Sequence, residues 1–168
     1  TRLCSRKYYH GCLVYQVQSG CLAQTGDPSG TGKGGCCSQH NEDASSPRFI
    51  RHAPSDDRQK HDRAGLVSVV SMGSQGNDHL YGSQFFFTLR DEDLDHLDAG
   101  GHVVVGEVAE GLDVLKKIGA LYLDGNGRPW EDVRIQHAHV LENPFAEVEC
   151  PPSPERRPET PHKEEKVT

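Results

Sequence analysis

At 168 residues the chain has room for one compact domain and a tail, and too little for two ordinary domains. Apolar residues supply 34% of it, a polar balance that predicts a segment outside any packed core. A net charge of -7 gives no electrostatic reason to grip phosphate backbones, so direct nucleic-acid binding by this stretch is disfavoured. No run approaches the roughly 18 apolar residues that span a bilayer. No charged segment followed by an apolar one opens the chain, and the sequence reads as soluble, not secreted, with no membrane partner. Cys4, Cys12, Cys21, Cys36, Cys37 and Cys150 form no C-x-x-C pair and no zinc spacing, which predicts free thiols in a reducing compartment.

In chain order, residues 3–9 read as helix or loop, and residues 12–17 combine β-branched and aromatic residues into a predicted strand ending at the Ser19-Gly20 turn signal. A short strand is predicted over residues 22–25. Residues 26–35 are so rich in glycine that only a loop with unusual backbone angles uses them. Between Cys37 and Ala64 only Phe49 and Ile50 break a polar run, which predicts a long surface excursion. Strands follow over residues 65–72 and 84–89, the latter the most hydrophobic and expected at the sheet centre, with a polar loop running between them through Tyr81. An acidic loop, Asp91 to Asp98, leads to a strand over 103–108. Leu112, Leu115 and Ile118 then stand at helical spacing. The last predicted strand covers 133–141, and prolines alternating with charged residues mark 146–168 as an unstructured linker. Many short strands, one covering helix and long loops predict an antiparallel sheet closed into a barrel.

Four blocks stand in register: Tyr8-Tyr9-His10-Gly11; Gln24-Thr25-Gly26-Asp27-Pro28-Ser29-Gly30-Thr31-Gly32; Gly82-Ser83-Gln84-Phe85-Phe86; and His102-Val103-Val104-Val105-Gly106. In content and order they resemble the signature of cyclophilin-type peptidyl-prolyl cis-trans isomerases. The block from Gly127-Arg128-Pro129-Trp130 to Asn143-Pro144-Phe145 is similar to the end of that domain in a nuclear branch that also carries an RNA-recognition domain. The resemblance implies a mainly β fold, a cyclophilin-like antiparallel β-barrel with covering helices over residues 1–145. It also implies that the barrel's first strands and most of its first helix are missing here. A barrel so opened exposes its edges and half its core, which predicts a chain prone to aggregate.

The resemblance further implies isomerisation of X-Pro bonds, no cofactor or metal, a nuclear location, and proline-containing peptides or proteins as partners. RNA or RNA-polymerase-associated complexes would be reached through a domain absent from this chain. Among the family's catalytic positions, the ring-pocket phenylalanine falls on Phe86, the glutamine on Gln24 and the histidine on His102. The arginine position is Gln16, a neutral carboxamide whose hydrogen bond lacks the charge that makes such bonds roughly twice as strong. Substrate-binding positions fall on Cys21 in place of phenylalanine, Leu22 in place of methionine, His96 in place of tryptophan, and Leu97, with Gln84 in the signature block. Around Met72 to Tyr81 the loop differs in length, and Ser74 and Gln75 are the nearest counterparts of the residues that hold substrate backbone. Two readings follow: a slow isomerase, or a proline-peptide binding module without meaningful turnover.

Other signals are weaker. The glycine-rich run carries Asp27 and Gly34 where a phosphate-binding P-loop needs glycine and Ser or Thr. His137 and His139 share a face of the predicted strand as metal ligands could, but spacing suggests no third ligand. The acidic run lacks the glycine and terminal glutamate of a calcium loop and reads as solvated. No serine or cysteine has the sequence surroundings of a hydrolase nucleophile.

Overall fold

The structure is a computed structural model and describes residues 1–40, 46–55 and 57–144. The predicted linker over 146–168, with Cys150, lies outside the described residues. After a single helical turn, α1 (Arg2–Ser5), come strands β1 (Gln16–Gln18), β2 (Leu22–Thr25), β3 (Ile50–His52), β4 (Leu66–Gln75) and β5 (Asp78–Thr88). Helix α2 (Asp95–Ala99), strand β6 (Val103–Glu107) and helix α3 (Leu112–Gly119) follow. The strands form one antiparallel sheet in the order β1-β2-β5-β4-β6, with β3 on the far half of β5. The mainly β antiparallel architecture is as predicted. The described strands do not close into a ring, since β1 and β6 are not paired with each other.

Strand β5 is the centre, as its hydrophobicity predicts, but β4 and β5 both extend further than the sequence reading. The supposed loop through Tyr81 is a hairpin closed at Gly76-Asn77, where Gln75 faces Asp78 and Gly76 adopts φ 65°. Gly-Asn between pairing partners is a two-residue turn signal; the polar composition around it masks the strands. Register shifts between Val69, Ser71 and Ser74 bend this arm. The acidic stretch is not all loop, because Asp95–Ala99 form α2. Conversely, residues 133–141 form no strand. Ile135 and Val133 do exchange backbone bonds with Gly11, Cys12 and Val14 at 2.7–2.9 Å, but the pairing amounts to the isolated Leu13–Arg134 bridge and does not run on into a ladder. For the same reason residues 12–15 stay outside β1.

Alternation along the strands divides the sheet into two faces. Leu66, Ser68 and Val70 of β4 and Gln84, Phe86 and Thr88 of β5 are buried on one. There Phe86 packs with Cys21, Leu22, Val70, Leu94 and Leu97. On the other face Val14, Val17 and Ala23 pack with Leu89, Leu123, Val133 and with Ile118 of α3, so the helix covers one end of the sheet as its spacing predicts. The remainder of that second face is open. Val67, Val69, Phe85, Phe87 and Val105 line a hollow of about 840 Å³, and Val105 is 60% exposed.

The glycine-rich loop winds around one carboxylate. Asp27, fully buried, accepts bonds from the backbone N–H groups of Ser29, Thr31, Gly32 and Gly34 and from the hydroxyls of Ser29 and Thr31. Burial alone would raise its pKa, but these donors outweigh burial and hold it below the ordinary carboxylate value. Gly26, at φ 90°, is required because a Cβ would collide with the Ser83 carbonyl.

Two outcomes follow from this packing. Asp27→Asn leaves at least one donor set unmatched and is expected to destabilise the fold by about 3 kcal/mol, measured by urea unfolding; a loss below about 0.5 kcal/mol would show the loop does not depend on that charge. The open apolar face predicts strong binding of a hydrophobic dye and self-association, both reduced by Val105→Lys. A dye-silent, monomeric wild-type chain would contradict it.

Candidate active site

Antiparallel register sets the site. Gln16 of β1 faces Gln24 of β2, Gln24 faces Phe86 of β5, and Phe86 faces Ser68 of β4. Residues directly opposite across antiparallel strands share a sheet face. Three of the four predicted catalytic side chains therefore stand in one rank across neighbouring strands, roughly 5 Å apart per strand.

A carboxamide network orients the rank. Gln24 Nε2 donates to Tyr15 Oη at 2.6 Å and to Gln84 Oε1 at 3.0 Å, while the Tyr15 hydroxyl donates to the same Gln84 oxygen at 2.6 Å. Burial pushes the Tyr15 phenol well above its ordinary pKa, so it remains a donor. Gln84 spends its own amide on the Gly32 and Gly34 carbonyls, both at 2.9 Å. Gln84 is only 2% exposed with both ends of its amide engaged. The sequence reading places it among the substrate-binding positions; in this structure it is the strut that fixes Gln24. With its amide hydrogens taken, Gln24 keeps its carbonyl Oε1 as an acceptor that makes no bond among the described residues. Gln16 is half-buried and its carboxamide likewise has no partner among them.

Beside the rank lies the apolar cluster. Leu97, Leu22 and Cys21 belong to it, with partly buried Met72 packed against it. His96 on α2 is exposed, with Nε2 3.7 Å from Cys21 Sγ, so two small polar groups stand where the family resemblance puts large rings. Burial raises the Cys21 thiol, partly offset by Arg90, so it is a poor nucleophile. Ser74 and Gln75 do not join the site: both are exposed at the hairpin tip. The bulged β4 instead brings Val70 and Met72 to the cluster and Ser71 to His102. An unaligned loop length concealed that shift.

His102 stands edge-on to Phe86, with centroids 5.2 Å apart at 86°, and its Nδ1 accepts the Ser71 backbone N–H at 3.0 Å. Burial, reinforced by His61, His79 and His96, lowers its pKa from 6.5 to about 4, against a smaller opposing pull from Asp98. It is a neutral imidazole with its proton on Nε2 at physiological pH.

Sequence reasoning missed His61, which lies in the polar excursion with no pattern to mark it. Its fully buried ring stacks on Phe86 at 5.7 Å and 25°. Nδ1 bonds Asp98 Oδ1 at 2.7 Å and Nε2 contacts Ser68 Oγ at 2.9 Å. Asp98 is thus a structural partner and not simply part of a solvated acidic loop. These are the contacts of a hydrolytic Ser-His-Asp arrangement, which no spacing foretold, but Ser68 is 0% exposed and no acyl carbon reaches its hydroxyl. His137 and His139 do come together, at 5.9 Å between ring centroids, with His10 5.0 Å from His137. Yet no three such side chains among the described residues are arranged to hold a metal.

The sheet face that carries Gln16 and Gln24 thus sets two carboxamides beside an apolar cluster built around Phe86. The chain belongs to the cyclophilin-type peptidyl-prolyl cis-trans isomerase family, whose model matches residues 1–140. It is 45% identical over 144 residues to the peptidyl-prolyl cis-trans isomerase CYP59 of Arabidopsis thaliana, covering 86% of this chain and 27% of that protein. It is 42% identical over 160 residues to human peptidyl-prolyl cis-trans isomerase-like 4, covering 94% of this chain and 31% of that protein. The chain thus spans about a third or less of the length of these relatives. Among solved structures, a cyclophilin-type isomerase of Cryptosporidium parvum superposes with TM-score 0.67 at 27% identity, over 84% of this chain and 80% of that one. The same protein in the presence of the dipeptide Ala-Pro gives TM-score 0.66.

The depressed His102 pKa has a consequence for stability. Between pH 4 and 6.5 the unfolded chain binds a proton at this histidine that the folded chain refuses, so its contribution is complete above pH 6.5 and lost as pH falls toward 4. The thermal midpoint is expected to fall through that window, less steeply in His102→Gln. Identical pH profiles for the two proteins would contradict a buried neutral imidazole.

Proposed function

We propose that this chain binds proline-containing peptides on the outer face of its sheet and isomerises their X-Pro bonds slowly. The observation that carries this reading is the rank of Gln16, Gln24 and Phe86 on one face beside a dry apolar cluster. Rotation about an X-Pro bond faces a barrier of roughly 18–20 kcal/mol because the amide is conjugated. A catalyst lowers it by binding the twisted amide better than either planar form. Phe86, Leu97, Leu22 and Cys21 supply an apolar seat for the pyrrolidine ring. Gln24 Oε1 suits a substrate backbone N–H, and the free Gln16 amide suits a substrate carbonyl or the prolyl nitrogen as it becomes pyramidal. Phe86 is 1% exposed, so a substrate ring reaches it only if side chains around the apolar cluster shift to open a seat. No nucleophile, metal or cofactor takes part in the step.

Gln16 sets the rate. A neutral donor at that position forgoes about 2–3 kcal/mol of transition-state stabilisation relative to a guanidinium, a factor of about 30–150 in rate. The same residue favours the second reading, a proline-peptide binding module without meaningful turnover. Similarity of residues 127–145 to the nuclear branch supports a role in nuclear RNA-processing or transcription complexes. In that reading residues 1–145 form the isomerase domain and 146–168 link it onward to RNA-associated partners.

Two-dimensional exchange spectroscopy on a proline peptide distinguishes the readings. Accelerated cis-trans exchange is expected for the chain, abolished by Phe86→Ala and raised about 30- to 150-fold by Gln16→Arg. Broadening of peptide resonances without accelerated exchange, in wild type and Gln16→Arg alike, would leave only the binding module.

A further inference from the structure

We propose that His61 is a positioning residue for this site, holding the Phe86 ring in the orientation against which a substrate proline packs. The inference rests on the proline-binding reading and adds to it a residue that contacts no substrate. A phenylalanine ring turns about a broad, twofold χ2 torsion, so its plane is set by whatever packs on its faces and edges. Cys21 packs in the cluster around Phe86, and His96 is exposed with its Nε2 3.7 Å from the Cys21 sulfur. Phe86 is left between two imidazoles: His61 flat against it at 25° and 5.7 Å, and His102 edge-on at 86° and 5.2 Å.

An imidazole serves as a brace only if it is itself immobile, and His61 is held at both nitrogens. Asp98 takes Nδ1 at 2.7 Å, and Ser68, fully buried and opposite Phe86 on β4, holds Nε2 at 2.9 Å. The backbone N–H of His61 also donates to the second Asp98 oxygen at 3.4 Å. Asp98 in turn is fixed by α2 and by Arg58, which donates to its carbonyl at 2.9 Å. Leu97, beside Asp98 in α2, is itself a wall of the apolar cluster. The His61–Asp98 contact therefore ties the floor under Phe86 to the helix that forms the rim. A residue that served packing alone would not need two directed tethers, since an apolar ring of similar size fills the same volume without burying polar atoms.

The test compares Asp98→Ala, which frees Nδ1, with Asp98→Asn, whose carboxamide oxygen still accepts from it. In the intact chain with a proline peptide, Asp98→Ala is expected to lower the exchange rate at saturating peptide about tenfold, a larger effect than on peptide affinity. Asp98→Asn is expected to restore the rate to within about twofold of wild type. Carbon-13 labelling of phenylalanine gives the second readout: Phe86 ring signals that are distinct in wild type and Asp98→Asn merge through faster ring flipping in Asp98→Ala. If Asp98→Ala does not fold, Ser68→Ala frees Nε2 alone and is expected to show the same two changes in smaller measure. A folded Asp98→Ala or Ser68→Ala with wild-type exchange and unaltered Phe86 signals would overturn the inference while leaving the proline site standing. A wild-type chain that neither binds nor isomerises the peptide would overturn the proline reading, and this role for His61 with it.

Discussion

The register between β2 and β5 is the constraint on which the site depends. Gln24 and Phe86 meet because Leu22 faces Thr88 and Thr25 faces Phe85. A slip of one residue would turn Gln24 to the opposite face and set Ala23 or Thr25 against Phe86 in its place. Two devices oppose the slip. The Gln84 carboxamide is bonded at once to β2 through Gln24, to Tyr15, and to the carbonyls of Gly32 and Gly34. The Thr25 hydroxyl is bonded to the Leu13 carbonyl at 2.8 Å. Both sit in the interior, where an unmatched polar group is costly, so the alternative register carries a penalty at several atoms together.

Charge is used for architecture rather than for chemistry. The buried carboxylate of Asp27 organises the glycine loop that receives Gln84, and Asp98 anchors the imidazole beneath Phe86. The surface that would meet a substrate carries neutral groups: two carboxamides, a thiol kept protonated by burial, and a histidine kept neutral by its surroundings. Such a surface suits rotation about a bond, which transfers no proton and breaks no covalent linkage, and suits the binding of an uncharged ring. The hollow of about 840 Å³ lies on the opposite sheet face and contains none of these groups. Its lining of Val67, Val69, Phe85 and Phe87 is interior in character, an open portion of the core rather than a built site.

Much of the fold was legible because its signals are local. The glycine loop, the aromatic run of β5 and the spacing of Leu112, Leu115 and Ile118 each declare their structure within a few residues. The reading stopped where structure depends on partners. Residues 133–141 alternate like a strand, yet their pairing is confined to the single Leu13–Arg134 bridge, and alternation does not reveal how far pairing runs. The site divides in the same way. Gln16, Gln24, Phe86, Leu97 and His102 follow from ordered sequence blocks, whereas Ser74 and Gln75 were misplaced because bulges in β4 change the count. His61 and Asp98 carry no pattern, since 37 residues of chain separate two atoms that a single hydrogen bond joins.

The most direct test of the account is to locate a bound Ala-Pro peptide on the isotope-labelled chain by intermolecular nuclear Overhauser effects. The account predicts contacts from the prolyl ring protons to Phe86, Leu97 and Met72, with the peptide backbone near Gln24 and Gln16. Contacts confined to Val67, Phe87 and Val105 on the open inner face, with none to the Phe86 side, would contradict it.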